Sequence, residues 1–289
     1  MPELPEIETI RNGLRRFILN QEIDSFLLRD KKLNLSSANL KFIKSNSFSE
    51  VERVGKMLVF PFSSGDFRLL IHLKMTGQLV FCPRNNKIAV IGGHSDKKSS
   101  FLDCGNFKHI RLEIVFKSGD RLLLNDTRRF AYIKLVNTEE FLKIKERFGL
   151  EPVNEFFSWN DFKKIILSRP NKNIKAFLLD QSLIAGIGNI YADEILFASS
   201  VSPFVRVSDL SSIQVKIIFL NIKRILKLAV KKRGTTFSDY ITAEGESGGF
   251  LKMLKVYGRT GANCKKCSGP IKKVKVAGRG THYCPKCQG

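Results

Sequence analysis

Residues 110–126 read IRLEIVFKSGDRLLLND. Two short apolar runs flank a Ser-Gly-Asp turn signal, which is the pattern of an antiparallel hairpin. Working outward, the same texture fills residues 23–136: DSFLLRD, MLVFPF, FRLLIHLKM, QLVFC and AYIKLV, with turn signals such as SSGD between them. This stretch predicts an antiparallel β-sandwich. Residues 83–106 interrupt it as a long loop or inserted segment. Before the strands, residues 3–18 predict a helix, because Leu4, Ile7, Ile10, Leu14 and Phe17 keep one apolar face. After them the period turns helical, from TEEFLKIKERFG at 138 to a long run ending at AVKK. GLEPV at 149–153 breaks that pattern as an interdomain hinge, and AEGESGG at 243–249 is a Gly-rich loop. The expected fold is therefore α+β in two domains. Its expected divisions are a β-sandwich domain over 1–137, a hinge region over 138–153, a helical domain over 154–250 and a compact end unit over 251–289. No internal repeat is found.

The chain has 289 residues, 49 Lys+Arg against 27 Asp+Glu, and a formal net charge of +22. Hydrophobic residues make up 43%, so the chain is globular rather than a disordered basic tail. A folded chain with that surplus points to a polyanion, nucleic acid first. There is no apolar run long enough to span a membrane and no signal-peptide layout, so a cytoplasmic protein is expected.

Four of the six cysteines form two CxxC knuckles, CKKC at 264–267 and CPKC at 284–287. That spacing fits a tetrahedral zinc site made by Cys264, Cys267, Cys284 and Cys287. Four protein ligands leave no open position, so the zinc is structural. Ten Lys/Arg and no Asp or Glu lie between 251 and 289. So small a unit is folded by its metal, and its uniform charge suits a phosphate backbone. Cys82 and Cys104 read as a pair of small buried or half-buried thiols. A disulfide scaffold is not expected at this length in a reducing compartment.

The chain opens MPELPEIETI. Removal of Met1 would leave Pro2 with a free secondary amine, which can attack an aldehyde-level carbon and form an iminium. An α-amine titrates closer to neutrality than lysine, and the following helix depresses it further. Glu3 is then a proton shuttle and Glu6, three residues on, an orienting group. The plainer reading is helix capping by a proline and acids in a first turn.

PELPEIET, GK at 55–56, HLKMTG at 72–77, DTRRF at 126–130, AGIGNIYADEILF at 185–197, VYGRTGANC at 256–264 and GRGTHYCPKC at 278–287 occur in this order. Together they closely resemble the bacterial formamidopyrimidine-DNA glycosylases, nearly end to end. The resemblance implies a helix–two-turn–helix in the helical domain and a zinc ribbon at the end. It also implies a base-excision repair enzyme that removes oxidised purines and cuts the abasic strand by β- and δ-elimination. Its partner is damaged double-stranded DNA, it acts as a monomer, and it uses no nucleotide cofactor. By the same resemblance Pro2 attacks C1′, Glu3 moves protons at the sugar, Lys56 serves β-elimination and Arg279 δ-elimination. Met75, Arg128 and Phe130 match the wedge that fills the gap left by a flipped base, a task suited to a flexible apolar chain, a stacking cation and an aromatic plate. His109, Arg129, Asn189, Tyr191 and Lys172 complete the implied DNA contacts, and the loop 243–250 would cover the flipped purine.

Three departures stand out. DTRRFA replaces the family's usual Asp-Pro-Arg-Arg-Phe-Gly. A lysine usual before the helix–two-turn–helix reads as displaced, with Lys172 in that stretch and Lys175 further on. The segment 83–106 is longer than usual. The sister endonuclease VIII class, which prefers oxidised pyrimidines, is the nearest alternative; Leu4 and the Gly-rich loop favour the purine class. A DNA-binding relative without chemistry is the other, and the presence of Pro2, Glu3 and Lys56 speaks against it.

Overall fold

The computed structural model describes residues 1–30, 35, 37–84, 90–93, 104, 107–235 and 249–289. Most of the 83–106 segment and residues 243–248 of the Gly-rich loop lie outside the described residues. The chain divides into two compact units: residues 1–145 with 233–249, and residues 146–232 with 250–289.

The first unit begins with α1 (Leu4–Arg15), then β1 (Ile23–Leu28), α2 (Ser37–Ile43), β2 (Glu52–Val54), β3 (Met57–Pro61), β4 (Phe67–His72), β5 (Gly77–Cys82) and β6 (Val90–Gly93). The hairpin of β7 (Ile110–Phe116) and β8 (Arg121–Asp126) follows, then β9 (Tyr132–Asn137) and α3 (Thr138–Lys145). The strands form two antiparallel sheets, ordered β1-β7-β8-β5-β6 and β2-β3-β4-β9. Alternate residues such as Leu58, Phe60, Leu69, Ile71, Leu79, Phe81, Ile114 and Leu122 fill one core between them, closed by Ile7, Ile10 and Leu14 of α1. The expected helix is present but ends at Arg15. Helix α2 is an element the alternation did not foresee. Helix α3 stays with the first unit, where Arg68 lies 5.0 Å over the ring of its Phe141.

Cys82 and Cys104 are buried as expected, but they are not free thiols: they form a disulfide with 6.0 Å between Cα atoms. That separation is within the normal range for a bridge. The inserted segment returns its end to the last residue of β5, where Val80, Leu123, Phe107 and Ile110 surround the pair. Spacing along the chain carries no trace of that return.

The second unit contains α4 (Trp159–Leu167), α5 (Ile174–Leu179), α6 (Asn189–Ala198) and α7 (Ser212–Lys231) around Phe162, Phe177, Tyr191, Leu196, Phe219 and Leu226. Ser158, Asn173 and Ser211 cap α4, α5 and α7 through their side chains. A hairpin of β10 (Lys272–Val276) and β11 (Arg279–Tyr283) and the short α8 (Pro285–Gln288) end the chain. The hairpin packs on α6 within this unit rather than standing apart. Among the described residues no helix is long and apolar enough to cross a membrane.

Candidate active site and metal centre

Pro2 and Glu3 are buried at the start of α1. Glu3 is the N-cap residue, and its N–H donates to Glu6 Oε2 at 2.9 Å. The other Glu6 oxygen, Oε1, accepts from Thr235 N–H at 2.6 Å and from the Thr235 hydroxyl at 3.0 Å. One carboxylate thus joins the chain's beginning to the root of the 236–248 segment. Gly234 makes this approach possible. It has φ +79°, and a Cβ there would stand 2.5 Å from Glu6 Oε1.

Lys56 is buried at the turn between β2 and β3, beside Gly55 at φ +56°. Arg53, whose side chain is 6% exposed, donates to Glu8 Oε2 of α1 at 2.9 Å and to the Gly55 carbonyl at 2.7 Å. It ties the turn that carries Lys56 to α1. Local spacing did not reveal this pairing of Arg53 with Glu8. The α-amine of Met1 is held below its ordinary value. Burial is the main cause; it outweighs Glu3 and Glu6, and Lys56 adds to it.

His72, of the HLKMTG stretch, was also missed. Its Nδ1 accepts from Lys74 N–H at 2.9 Å and its ring stacks on Tyr132. Burial, then Lys74 and Lys56, lower its pKa to about 4. The neutral form is therefore a constant partner of two lysines. The folded value lies below the unfolded one, near 6.5. The unfolded chain then binds the extra proton, and the contribution of His72 to stability is lost as pH falls from about 6.5 toward 4. An NMR titration of the His72 ring is expected to give a midpoint near 4; a midpoint near 6.5 would overturn this environment.

Met75 and Phe130 each keep 46% exposure. The Arg128 guanidinium lies 4.6 Å over the Phe130 ring. Arg129 takes φ +57° and pairs with buried Asp30 at 3.4 Å. His109 is exposed, its N–H donating to Asn125 Oδ1 at 3.2 Å. The structure brings Met75, Arg128 and Phe130 together as exposed side chains on two neighbouring turns.

In the second unit, Asn189 starts α6 and its Nδ2 donates to the Gly280 carbonyl at 2.9 Å. Tyr191 is fully buried and its ring packs on Phe250 in the core of the second unit. The Lys172 amine pairs with Asp180 at 2.5 Å. Lys175 is the more informative lysine. It is fully buried, with Nζ 2.6 Å from Asp193 Oδ1 and 2.6 Å from the Thr281 hydroxyl. Asp193 Oδ2 accepts from His282 N–H at 2.8 Å. This buried pair, satisfied by hydrogen bonds, clamps β11 to α6. The β10–β11 turn, Ala277–Gly278, has both residues at positive φ, the primed turn of a two-residue hairpin, and Arg279 follows it, exposed.

The four cysteine sulfurs of 264, 267, 284 and 287 lie within 4.8 Å of one another. Tetrahedral zinc with four thiolates at its usual bond length requires sulfurs about 3.8 Å apart. The observed 3.9 Å for Cys264–Cys287 and 3.4 Å for Cys267–Cys284 suit such a cage. All four donors are thiolate-forming and converge on one point, so these residues fit a single structural zinc.

Comparison with known proteins agrees with this geometry. Residues 1–133 match the formamidopyrimidine-DNA glycosylase N-terminal domain, 148–240 the H2TH domain of the same enzymes, and 263–289 the zinc finger found in FPG and IleRS. A formamidopyrimidine-DNA glycosylase of Ligilactobacillus salivarius is 37% identical over 275 residues, covering 94% of this chain and 92% of the relative. A Lactococcus lactis FPG variant solved with Fapy-dG containing DNA superposes with TM-score 0.85 at 32% identity, covering 99% of each chain. The Lactococcus lactis Fpg solved with abasic site containing DNA gives 0.84, also at 32% identity and with 99% of each chain covered. With the zinc ribbon in place and the likeness running the length of the chain, this protein belongs to the formamidopyrimidine-DNA glycosylase family, enzymes that act on damaged DNA.

Proposed function

We propose that this enzyme removes oxidised purines, 8-oxoguanine and formamidopyrimidines, from double-stranded DNA and then cuts the strand by β- and δ-elimination. The observation that carries the reading is the buried cluster of Pro2, Glu3, Glu6 and Lys56 at a chain end whose α-amine, that of Met1, is held below its ordinary value. Once Met1 is removed, Pro2 is a secondary amine with a lone pair for C1′. The new N–C1′ bond forms as the glycosidic bond breaks, the base leaves with the bonding electrons, and the proton that the amine sheds passes to the departing base. Glu3 supplies the proton that opens the sugar at its ring oxygen. The iminium nitrogen then draws electrons from C1′, which acidifies the C2′ proton. Removal of that proton expels the 3′ phosphate, with Lys56 as the nearby cation. Arg279, whose planar guanidinium suits bidentate phosphate contact, serves the second elimination. His109, Arg129, Asn189 and Lys172 hold the strand in this reading, and the enzyme acts as a monomer in the cytoplasm.

Borohydride trapping on an 8-oxoguanine:cytosine duplex tests it. The expected result is a covalent adduct that peptide mapping places on Pro2 of a chain lacking Met1. An adduct only with thymine glycol or a preformed abasic site would move the enzyme to the pyrimidine class or to a bare lyase. Tight binding with no adduct would remove the covalent mechanism.

A further inference from the structure

Asp126 is fully buried at the end of β8, opposite Gly77 in the register with β5. Its carboxylate serves two separate turns. Oδ1 accepts from the Thr76 hydroxyl at 2.5 Å and from Arg128 N–H at 3.2 Å, and Oδ2 accepts from Ala131 N–H at 2.8 Å. Its main chain is held as well: its N–H donates to the His109 carbonyl at 2.9 Å, and its carbonyl accepts from Arg111 Nε at 2.8 Å. Thr76 sits beside Met75 in the turn entering β5. Arg128 and Ala131 bracket the tip that carries Phe130. The same carboxylate therefore ties the Met75 turn to the Arg128–Phe130 turn.

The two turns are also in close contact. A Cβ on Gly77 would lie 2.5 Å from the Leu73 carbonyl oxygen and 3.0 Å from the Ala131 Cβ. Packing alone brings them near, but the carboxylate sets their angle. Only an ionised carboxylate accepts on both oxygens at once. An asparagine would turn an N–H₂ group toward one of the three donors and leave that donor unpaired in a buried place.

We propose that Asp126 is the positioning residue of the wedge. It holds Met75, Arg128 and Phe130 as one preassembled plate, so that the three side chains enter the vacated base stack together. The inference rests on the reading of those three residues as the gap-filling wedge. Asp126 touches neither substrate nor reacting atoms; it acts through Thr76, Arg128 and Ala131.

The test uses the full-length zinc-loaded enzyme and an 8-oxoguanine:cytosine duplex with 2-aminopurine beside the lesion, whose fluorescence rises on unstacking. Asp126→Asn is compared with Thr76→Val, which removes one donor and keeps the shape, and with a Met75→Ala/Arg128→Ala/Phe130→Ala triple variant. Borohydride trapping on a single-stranded abasic oligonucleotide, which has no stack to fill, reports the chemistry apart from the wedge. Asp126→Asn is expected to slow the fluorescence rise roughly tenfold to a hundredfold, as a misplaced constellation does. Thr76→Val should do so less, and single-strand trapping should stay near wild type in both. If the triple variant loses the fluorescence step and Asp126→Asn keeps it, the wedge stands and the role of Asp126 falls. If the triple variant behaves as wild type, the wedge reading itself falls. If Asp126→Asn loses single-strand trapping to the same extent, its role is structural and the proposal is overturned. Should Asp126→Asn fail to fold, Thr76→Val decides between the same outcomes.

Discussion

Replacing Glu3 by glutamine is expected to slow release of an oxidised purine by roughly 10²–10⁴-fold, the usual worth of a positioned proton donor. Cleavage at a preformed abasic site should suffer far less. The difference follows from the two substrates. An intact nucleoside holds its sugar ring closed, and Pro2 displaces the base only as the ring oxygen gains a proton. An abasic sugar opens spontaneously to an aldehyde that an amine attacks without that help. Glutamine keeps the shape of the side chain, and the N–H of residue 3 still has Glu6 to receive it at 2.9 Å. The measurement is single-turnover base release from an 8-oxoguanine:cytosine duplex against strand cleavage of an abasic duplex. Equal losses on the two substrates would make Glu3 part of the lyase step or of the helix cap alone.

Cys264→Ser is expected to abolish DNA binding while the first unit stays folded. The ribbon has little of its own to fold around. Val256, Ile271, Cys264 and Cys284 form its small core with Phe197 of α6, and two of those are zinc ligands. Structural zinc typically contributes about 10–16 kcal/mol of binding energy to so small a unit, more than its apolar contacts supply. Without the metal, the hairpin carrying Arg279 and its lysines loses its fixed shape. The β-sandwich has an independent core, from Ile7 to Leu135, and supplies none of the four clustered cysteines. Amide hydrogen exchange should show β10 and β11 unprotected and β7 and β8 unchanged, alongside a duplex titration. A variant that binds damaged duplex as wild type does would refute the claim that zinc organises the grip.

Local pattern was enough wherever one element carries the whole message. The 110–126 hairpin is legible because its runs and its turn are contiguous, and β7 and β8 pair there as expected. The zinc site is legible because each knuckle holds two ligands within four residues. Pro2, Glu3 and Lys56 were singled out through family likeness; the structure shows that each of them is buried. What stayed hidden depends on distant partners. Asp126 looked like one letter of DTRRF until Thr76 met it across the sheet. Lys175 looked like a misplaced lysine until Asp193 and Thr281 closed around it. Cys82 and Cys104 looked like idle thiols because nothing in a 22-residue separation says that its ends meet. The core place of the Tyr191 ring likewise depends on a distant partner, Phe250.

The bond from Thr235 to Glu6 spans 229 positions, and residues 233–249 complete the first unit although the second is largely encoded before them. A growing chain therefore emerges with the amino end exposed and Glu6 without its Thr235 partner. At ordinary elongation rates of about 5–20 residues per second, that interval lasts roughly ten to forty-five seconds. During it the end of the chain is open to the enzymes that trim nascent proteins. Only when residue 235 arrives does Glu6 acquire the two Thr235 donors to its Oε1. The order of synthesis thus leaves the start of α1 without this tether until four-fifths of the chain has been made.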